Sequence, residues 1–345
     1  MSESRTIKTN KKKSVGHFKE AERNSYIDIS SRKSLRTKNW ENRKKYLATN
    51  NGLDIRFYNN EWHFNTGLKT NHFMVAPVTK HPPLFILHDD VRVIKNALKE
   101  LFDKFQQNEF NKYFNAITLR VDRRFSVYPF VLANDRVIAF IETGIGSGGT
   151  NFVMENLAAI NAKFVLKLGT CSALERTIKA NTVLFVEEAL ADEGASQYTF
   201  DYIPDLTKLT TYSPFGDKTS KLRENFIKKN RRKYNLIKSS VPSRVVSTDA
   251  YESFDMSTDL HPLWQARGIL GVEMECSSFF SNSQKFKIPA LAILTVSRTT
   301  DTLLNKFSTP YIPSVDKEAV VATQVQLIFD VLIDSAIWEI GFNAD

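Results

Sequence analysis

The sequence predicts an α/β fold in which helices alternate with the strands of a central, largely buried sheet. The apolar segment Pro83–Leu87 is followed by a helix pattern that begins at Val91 and ends at Phe105, with apolar residues on one face. Later in the chain, Cys276–Phe286 has the spacing of a buried helix, and the almost wholly apolar strand Ala290–Arg298 follows it. Strands and helices therefore recur together along the chain, as this fold class requires.

The remaining elements continue this alternation. A hairpin is predicted over 117–131, and strands are predicted over 137–141, 164–168, 182–186 and 244–247. Helices are predicted to end near residue 161, to cover 221–233, and to close the fold over 319–338. The pair Gly169-Thr170 is predicted to form a turn at the end of the strand over 164–168, since a glycine interrupts the apolar pattern there.

Charge separates the first part of the chain from the rest. Residues 1–50 hold 14 Lys and Arg against 5 Asp and Glu, and this difference accounts for the whole net charge of +9. We expect residues 1–50 to be a basic, largely disordered extension and residues 51–345 to be one domain, since neither a repeat nor a linker divides them. The basic runs could bind nucleic acid, direct import, or simply remain solvated, and the solvated interpretation is favoured.

Composition excludes several classes of protein. The apolar runs are shorter than a membrane span, and the first residues hold no apolar stretch of a secretory signal. Two cysteines, Cys171 and Cys276, are too few for a disulfide framework and favour a reducing setting. We therefore expect a cytoplasmic protein, although its basic leader could direct it to the nucleus or an organelle. No cluster of metal-ligating residues is visible, and neither a metal nor a cofactor is expected.

Two glutamates, Glu273 and Glu275, stand two residues apart at the start of the predicted buried helix. Unpaired charge is costly near such a helix, so their presence needs a reason. One interpretation is a helix N-terminus, whose exposed amides and dipole favour acidic side chains. The other is a polyol-binding pair, because a carboxylate accepts two hydrogen bonds, the number that a sugar cis-diol offers.

A glycine-rich turn, Gly144-x-Gly146-x-x-Gly149, follows a predicted strand and opens a helix. It formally satisfies the dinucleotide-binding fingerprint, but the next strand ends in Lys167–Thr170 rather than in an acid that would hold a ribose hydroxyl. The simpler interpretation is a turn whose backbone amides approach an oxyanion or another ligand. A tight strand-to-helix turn with no ligand is the other alternative.

Several cations lie at or near predicted strand ends. They are Arg92, Arg124 and Lys167, and the hydroxyl of Thr170 accompanies them. Because ligands bind open α/β sheets at strand ends, these side chains together suggest an anionic substrate such as phosphate. Taken alone, each of the three cations would be interpreted as an ordinary surface charge.

Five short motifs carry a resemblance to a known family. They are Gly144–Gly146, Lys167–Thr170, Asp192–Ser196, Ser247–Tyr251 and Gly271–Glu275. In order and spacing they resemble the nucleoside phosphorylase family, which includes uridine phosphorylase and the hexameric purine nucleoside phosphorylases. The resemblance covers roughly residues 60–340 and implies a single three-layer α/β/α domain with a central mixed, partly barrel-like sheet.

The resemblance implies a phosphate-binding site. Its members would be Gly146, Arg92, Lys167, Thr170 and, from a neighbouring subunit, Arg124. Two positions differ from the family. His88 stands where the family has the first glycine of its phosphate loop, and Lys167 stands where the family has an arginine. Lysine keeps the charge but loses the bidentate fork of arginine.

The resemblance also implies a ribose-binding site. Glu273, Met274 and Glu275 would hold the sugar, and Glu275 would accept hydrogen bonds from its 2′ and 3′ hydroxyl groups. His63 would contact the 5′ end from the neighbouring subunit, which makes a homodimer the smallest complete unit. Tyr251 matches the aromatic residue that packs against sugar or base, and it could also be an ordinary core tyrosine.

The base end of the site separates the subfamilies. Purine-specific members place an aspartate after the strand that ends here in Ser297, whereas this chain has Arg298. Arginine does not deprotonate in proteins and so cannot protonate a purine, but it can stabilise a base that leaves as an anion, as uracil does. Ser297-Arg298-Thr299 also resembles the Asn-Arg-Thr of uridine phosphorylases. Asp301 is expected to lie too far along the chain to substitute for the aspartate.

The resemblance therefore predicts a phosphate-dependent nucleoside phosphorylase with Glu275 and Arg298 as catalytic residues. Uridine or another pyrimidine nucleoside is the favoured substrate, and inorganic phosphate is the co-substrate. Three alternatives remain open: a purine nucleoside phosphorylase or water-using nucleosidase, a non-catalytic nucleoside-binding homologue, and a dinucleotide-binding oxidoreductase. Contact with nucleic acid or membrane is not expected.

Overall fold

A mixed β-sheet of ten strands lies at the centre of the computed structural model of this protein. The structure describes residues 40–46, 55–64, 78–105, 127–131, 137–175, 177–197, 199, 210–236, 243–249, 260–299 and 317–333. Every element from β1 onward belongs to one structural unit, residues 44–345. The strands are β1 (Ile55–Tyr58), β2 (Glu61–Phe64), β3 (Val78–Thr79), β4 (Leu84–His88), β5 (Val127–Val131), β6 (Val137–Glu142), β7 (Val165–Ala173), β8 (Val183–Val186), β9 (Glu188–Asp192), β10 (Thr211–Tyr212), β11 (Arg244–Thr248), β12 (Ile269–Glu273) and β13 (Ala290–Arg298).

Helices connect these strands along most of the chain. They are α1 (Val91–Phe105), α2 (Ser147–Ala159), α3 (Gly194–Gln197), α4 (Asp217–Asn230), α5 (Leu260–Ala266), α6 (Cys276–Phe286) and α7 (Lys317–Ile333). The predicted bounds of α6 and β13 are confirmed to the residue, and α1 covers every residue of the apolar face predicted for it. Their patterns are long and periodic, and such patterns leave little freedom in assigning an element.

The sheet branches at β7. Its main path runs β10-β9-β11-β12-β7-β4-β6-β5, while β13 and β8 lie on the other side of β7. The first residues of β7 pair with β4, its last residues pair with β12, and β13 runs parallel to nearly all of it. Parallel and antiparallel pairs occur together, so the predicted mixed sheet is confirmed. Among the described strands the sheet does not close into a barrel.

Helices cover both faces of the sheet. On β4, Phe85 and Leu87 belong to the core that contains α2 and α6, whereas Leu84 and Ile86 belong to the core that contains α1 and α7. This alternation follows from the two-residue period of a strand, and a strand that is buried on both faces must be apolar throughout. The predicted three-layer α/β/α arrangement is therefore confirmed.

The segment before β4 packs onto the same core. Strands β1, β2 and β3 form a small antiparallel sheet. Buried Trp62 donates a hydrogen bond of 3.0 Å from Nε1 to the carbonyl oxygen of Ile160 at the end of α2. Residues 40–46 are helical, and the rest of the predicted extension, together with its boundary at residue 50, lies outside the described residues.

One predicted turn is wrong. Gly169 and Thr170 do not end a strand, because β7 continues through them to Ala173. They pair in register with Leu294 and Thr295 of β13, and this long parallel partner extends the strand past the glycine. Of the predicted hairpin only β5 is described, and the last helix is described as far as Ile333. No described helix has the length and apolar character to cross a bilayer.

Candidate functional site

Loops that follow three strands meet beside the carboxyl end of β4. Strands β4 and β6 are parallel neighbours, and the amide of Thr143 donates a hydrogen bond of 3.0 Å to the carbonyl oxygen of His88. The loop after β12 joins them, since Glu275 Oε1 accepts a hydrogen bond of 2.8 Å from the amide of Gly146. Ligands bind open α/β sheets at the carboxyl ends of their strands, so this convergence is the candidate site.

The carboxylate of Glu273 holds the N-terminus of α6. Its Oε2 accepts hydrogen bonds of 2.8 Å from the amides of Glu275 and Cys276. Its Oε1 accepts a bond of 3.1 Å from the amide of Cys276 and a short one from Ser247 Oγ. The carboxylate thus accepts hydrogen bonds from helix amides that would otherwise have no partner. Glu273 therefore lies at a helix N-terminus and caps it, which is the first of the two interpretations offered by the sequence.

Glu275 lies differently, because it points across the site rather than into its own helix. Its Oε1 faces the amide of Gly146, and its Oε2 lies 3.4 Å from Nζ of Lys167. Burial raises the pKa of Glu275, Asp89 and Glu273 raise it further, and Lys167 pulls it down without cancelling the rise. The two glutamates therefore have separate roles, one at the helix N-terminus and one in the site.

Lys167 is the buried cation of the site. Its side chain is fully buried, and Nζ has no hydrogen-bond partner among the described residues. A Cβ at Gly169 would lie 3.6 Å from this Nζ and 3.7 Å from Oδ1 of Asp89, so both charged groups lie beside this glycine. Burial lowers the pKa of Lys167, but Glu275 and other nearby acids more than offset this and raise it. The ammonium group is therefore charged.

The glycine turn after β6 is open to solvent. Gly144 and Gly146 have φ angles of 66° and 97°, a region that side-chain-bearing residues avoid. A Cβ at either position would meet no atom within 4 Å. Ile145 between them is 75% exposed, which is unusual for an isoleucine. The turn thus offers free room beside Glu275.

In the loop between β4 and α1, the hydrogen-bond donors are already taken up by side chains of the loop itself. Asp90 accepts hydrogen bonds from the amide and from the guanidinium of Arg92, and it begins α1 in the manner of an N-cap residue. His88 is fully buried. Its Nδ1 accepts a bond of 2.8 Å from the amide of Asp90, and its Nε2 lies 3.3 Å from Gln324 Oε1 of α7. Burial lowers the pKa of His88, so the imidazole is neutral.

A second group of predicted site residues lies farther along β7 and on its partner β13. Thr170 pairs with Thr295, and Arg298 pairs with Ser172 in the strand ladder. Ser297 Oγ donates a bond of 3.3 Å to the carbonyl oxygen of Cys171. Thr170, Ser297 and Arg298 are all half-buried. The backbone of β7 thus connects this group to Lys167.

The other predicted residues are placed as follows. Met274 is half-buried between the two glutamates. His63 lies on the β1–β2 hairpin, paired in register with Arg56, and its Nε2 is 3.6 Å from Glu61 Oε2. Arg124 and Tyr251 lie outside the described residues. The structure thus brings Glu275 into contact with both Gly146 and Lys167.

Sequence reasoning gave no role to two acids that hold the site together. Asp249 accepts a bond of 2.9 Å from Ser147 Oγ and one of 3.1 Å from the amide of Gly194. Buried Glu193 accepts bonds from the amides of Ala195 and Ser196 and from Ser277 Oγ. Each joins helix N-termini that lie far apart in the sequence. Their position directly after a strand is the signal that would have found them.

Metal-ligand geometry is absent from the part of the chain that the structure describes: no three His, Cys, Asp or Glu side chains are grouped to hold an ion. Both cysteines are free and buried. Burial raises the pKa of the Cys171 and Cys276 thiols, so neither is a thiolate at neutral pH. The polar groups that the structure brings together at the site are carboxylates, the ammonium of Lys167 and backbone amides.

Comparison with known proteins identifies the family. A sequence profile described as the phosphorylase superfamily matches residues 97–325. The chain belongs to the phosphorylase superfamily. The matched segment includes the glycine turn, Lys167 and both glutamates, and the closed loop that contains Asp90 precedes it.

Individual relatives in the superfamily are distant. The DeoD-type purine nucleoside phosphorylase of Clostridium novyi is 25% identical over 160 residues, which cover 45% of this chain and 61% of that enzyme. The corresponding enzyme of Bacillus cereus strain B4264 is 28% identical over 165 residues and is covered to 60%. This chain thus spans about three fifths of the length of these curated relatives.

Solved structures share the superfamily fold. The 5′-methylthioadenosine/S-adenosyl homocysteine nucleosidase of Helicobacter pylori aligns with a TM-score of 0.50 at 17% identity, over 73% of this chain and 97% of that chain. Uridine phosphorylase of Vibrio fischeri aligns with a TM-score of 0.48 at 18% identity, over 75% of this chain and 90% of that chain. At such identities the likeness concerns the fold alone.

Proposed function

We propose that this chain cleaves the N-glycosidic bond of a nucleoside and releases the free base. The observation that carries the proposal is the buried carboxylate of Glu275, which bridges the amide of Gly146 and the ammonium of Lys167 at the meeting point of the loops. Such a carboxylate can accept hydrogen bonds from the hydroxyl groups of a neutral sugar. Its negative charge also stabilises the positive charge that develops on the reacting carbon. The purine nucleoside phosphorylases among the relatives support the reaction class.

We assign the ribose to Glu275 and Met274. Glu275 accepts the 2′ and 3′ hydroxyl hydrogen bonds, and the contacts with Gly146 and Lys167 fix its orientation before the sugar binds. Glu273 supports the loop from behind, because its oxygens already accept bonds from the helix amides. Positive charge that develops at C1′ and the ring oxygen in an oxocarbenium-like transition state is stabilised by the nearby carboxylates.

We assign the base to the end of β13. Arg298 stabilises negative charge on the departing base, and Ser297 and Tyr251 contact the base itself. This assignment favours uridine or another pyrimidine nucleoside, since uracil leaves as an anion that needs no proton from the enzyme. A purine nucleoside is the alternative substrate, and the DeoD-type relatives favour it.

Two acceptors suit such a site. Inorganic phosphate, held by residues such as Arg92, Thr170 and a neighbour's Arg124, would yield ribose 1-phosphate, and water would yield free ribose. His63 and Arg124 would reach a neighbouring subunit's pocket, so we propose a homodimer as the smallest active unit. The reaction draws on no metal and no organic cofactor.

A second candidate function is nucleoside binding without catalysis. It is favoured by the contacts of Glu275, whose two oxygens already face Gly146 and Lys167. A sugar must compete with these contacts for the carboxylate, and a site that holds its ligand without distorting it would bind the nucleoside and leave it intact.

Base release from uridine, thymidine, inosine and adenosine tests the proposal, with and without phosphate. We expect release from at least one nucleoside, and loss of it in Glu275→Gln and Arg298→Ala. Glu224→Gln, on the exposed face of α4, is the matched control and should keep full activity. Binding of a nucleoside in equilibrium dialysis without any release would support the second candidate. A folded protein that neither binds nor cleaves any of the four would overturn both.

A further inference from the structure

We infer that the acceptor in this chain is water, because Asp90 occupies the position at the start of α1 that an anion such as phosphate would need. The inference rests on the proposed function and names the second substrate of the same site. The relevant donors are the amides of Asp90 and Arg92 and the guanidinium of Arg92, here called the α1 anion position.

The α1 anion position has the features of an anion site. It lies at the N-terminus of a 15-residue helix that follows the carboxyl end of a parallel strand, β4. Helix N-termini direct free amides and a positive dipole end toward such a place, and an arginine fork adds planar donors that match phosphate. An unoccupied α1 anion position would therefore attract phosphate.

Asp90 already uses these donors. Its Oδ1 accepts bonds of 2.8 Å from the amide and 3.0 Å from Nε of Arg92. Its Oδ2 accepts bonds of 3.1 Å from Nε and 2.5 Å from Nη2 of the same residue. Burial raises the pKa of Asp90, but the bonds from Arg92 outweigh it and hold the pKa below its usual value. A fixed carboxylate thus takes the place of a bound anion.

His88 uses the remaining donor. The amide of Asp90 points at Nδ1 of the buried imidazole, 2.8 Å away, and so cannot reach a ligand. The ring cannot easily turn aside, because its Nε2 faces Gln324, which in turn donates a bond of 2.6 Å to the carbonyl oxygen of Gly169. Strand β4, strand β7 and helix α7 together hold the α1 anion position closed.

Lys167 is the second cation near the α1 anion position, and acidic side chains already balance its charge. Lys167 Nζ lies 3.4 Å from Glu275 Oε2, and Asp89 Oδ1 lies beside the same Gly169 as this Nζ. An incoming phosphate would meet two carboxylates for one ammonium, and desolvating its charge in such a place is unfavourable. A neutral acceptor carries no such cost.

Water is the acceptor that the remaining polar groups suit. Lys167 Nζ and Asp89 Oδ1 are both buried without a hydrogen-bond partner among the described residues. Both atoms lie beside Gly169, 3.6 Å and 3.7 Å from the position of a Cβ there, and Asp89 Oδ1 is also 3.3 Å from Nδ1 of His88. In the step we infer, the water oxygen bonds to C1′ while the C1′–N bond breaks and its electron pair leaves with the base. One water proton passes to Asp89 and on to solvent, and the base anion takes up a proton from solvent after it leaves, so that free ribose and neutral base result.

Phosphate binding tests the closure without any nucleoside. Equilibrium dialysis with radiolabelled inorganic phosphate compares the natural chain with Asp90→Asn, which keeps the capping oxygen but frees the arginine. We expect the natural chain to retain no phosphate and Asp90→Asn to bind it at least about tenfold more tightly, through charge-assisted bonds to Arg92. Asp103→Asn, the same change at an exposed site on α1, should match the natural chain. Asp90→Asn combined with Arg92→Gln should lose the gain.

Product analysis separates this inference from the proposed function. Base release at a rate independent of phosphate, with free ribose as product, supports both. Release that requires phosphate and yields ribose 1-phosphate overturns the inference and keeps the proposed function. No release, with phosphate bound by Asp90→Asn alone, overturns the proposed function and keeps the closure by Asp90. Phosphate binding by the natural chain as tight as that of Asp90→Asn, or by neither protein, overturns the closure.

Discussion

The amide of Gly146 donates a hydrogen bond of 2.8 Å to Glu275 Oε1, and this bond joins two loops that are 129 residues apart in the sequence. Gly146 begins α2 and Glu275 begins α6, and these two helices pack side by side on the same face of the sheet. Any sugar held by Glu275 therefore lies against the open glycine turn.

Substitution of Gly146 should destabilise the protein, because its φ of 97° disfavours any side chain although space is available. We expect Gly146→Ala to lower the free energy of unfolding by about 1–2 kcal/mol. Gly148→Ala is the matched control in the first turn of α2, with equally free space and no positive φ, and it should leave stability unchanged or raise it. Urea denaturation measures both, and equal losses would contradict the strain argument.

The buried pair of Lys167 and Glu275 should show strong energetic coupling. Glu275→Gln leaves a buried ammonium without its main counter-charge, and we expect a loss of about 3 kcal/mol in the free energy of unfolding. Lys167→Met should cost a similar amount, and the double variant should cost clearly less than the two losses added together. A double-mutant cycle from denaturation curves measures the coupling, and strict additivity would show that the two charges do not interact.

Glu273 should matter for stability through helix α6. Glu273→Ala removes the acceptor for the amides of Glu275 and Cys276 and leaves them unsatisfied in a buried place. We expect a loss of about 2 kcal/mol in thermal or urea unfolding, at the upper end of the range for N-terminal caps. Glu224→Ala on exposed α4 should change stability little, and a comparable loss there would argue against a specific role for the cap.

His88 should make the protein less stable in acid. Burial lowers the folded-state pKa of His88 below its ordinary value of 6.5, so below that pH the unfolded chain binds a proton that the folded chain refuses. Stability therefore falls as pH drops through 6.5, by at most about 1.4 kcal/mol per pH unit. Glu275 acts in the opposite direction, because its raised pKa gives stability that is lost as pH rises.

Substitution isolates the histidine contribution. His88→Asn keeps an acceptor for the amide of Asp90 and does not titrate, so its stability relative to the natural chain should increase between about pH 7 and pH 5. Exposed His81→Asn is the control and should show no such trend. Urea denaturation at several pH values gives the difference, and parallel curves for His88→Asn and the natural chain would contradict the buried, neutral imidazole.

Local patterns allowed much of the fold to be predicted. Helix α1 and strand β13 are defined by periodicity over many residues, and the structure keeps them unchanged. The error at Gly169 has a physical cause: a glycine weakens a strand locally, but eight paired residues of β13 hold the chain extended through it. Strand pairing over long sequence distances is not visible in the local pattern.

Only part of the candidate site was predicted, because contacts between residues far apart in the chain are not visible in local patterns. The sequence drew attention to Gly146, Lys167 and Glu275 through a glycine turn, a group of cations at strand ends and a pair of glutamates at a helix start. That Lys167 is buried was shown only by the structure. It did not distinguish Glu273 from Glu275, because both belong to one motif and only the direction of each side chain separates them. It also did not show that Asp90 binds Arg92, although an aspartate two residues before an arginine at a helix start is a capping pattern.

The fold class, the concentration of basic residues in positions 1–50 and the residue types available for chemistry can all be read from the sequence. The tertiary structure decided which of those residues meet: Glu275 with Lys167 and Gly146, and Asp90 with the arginine expected to hold an anion. Apolar periodicity is a local property of the sequence, so it can be recognised before the fold is known. Charge pairing depends on three-dimensional distance, which is fixed only when the sheet brings its strand ends together.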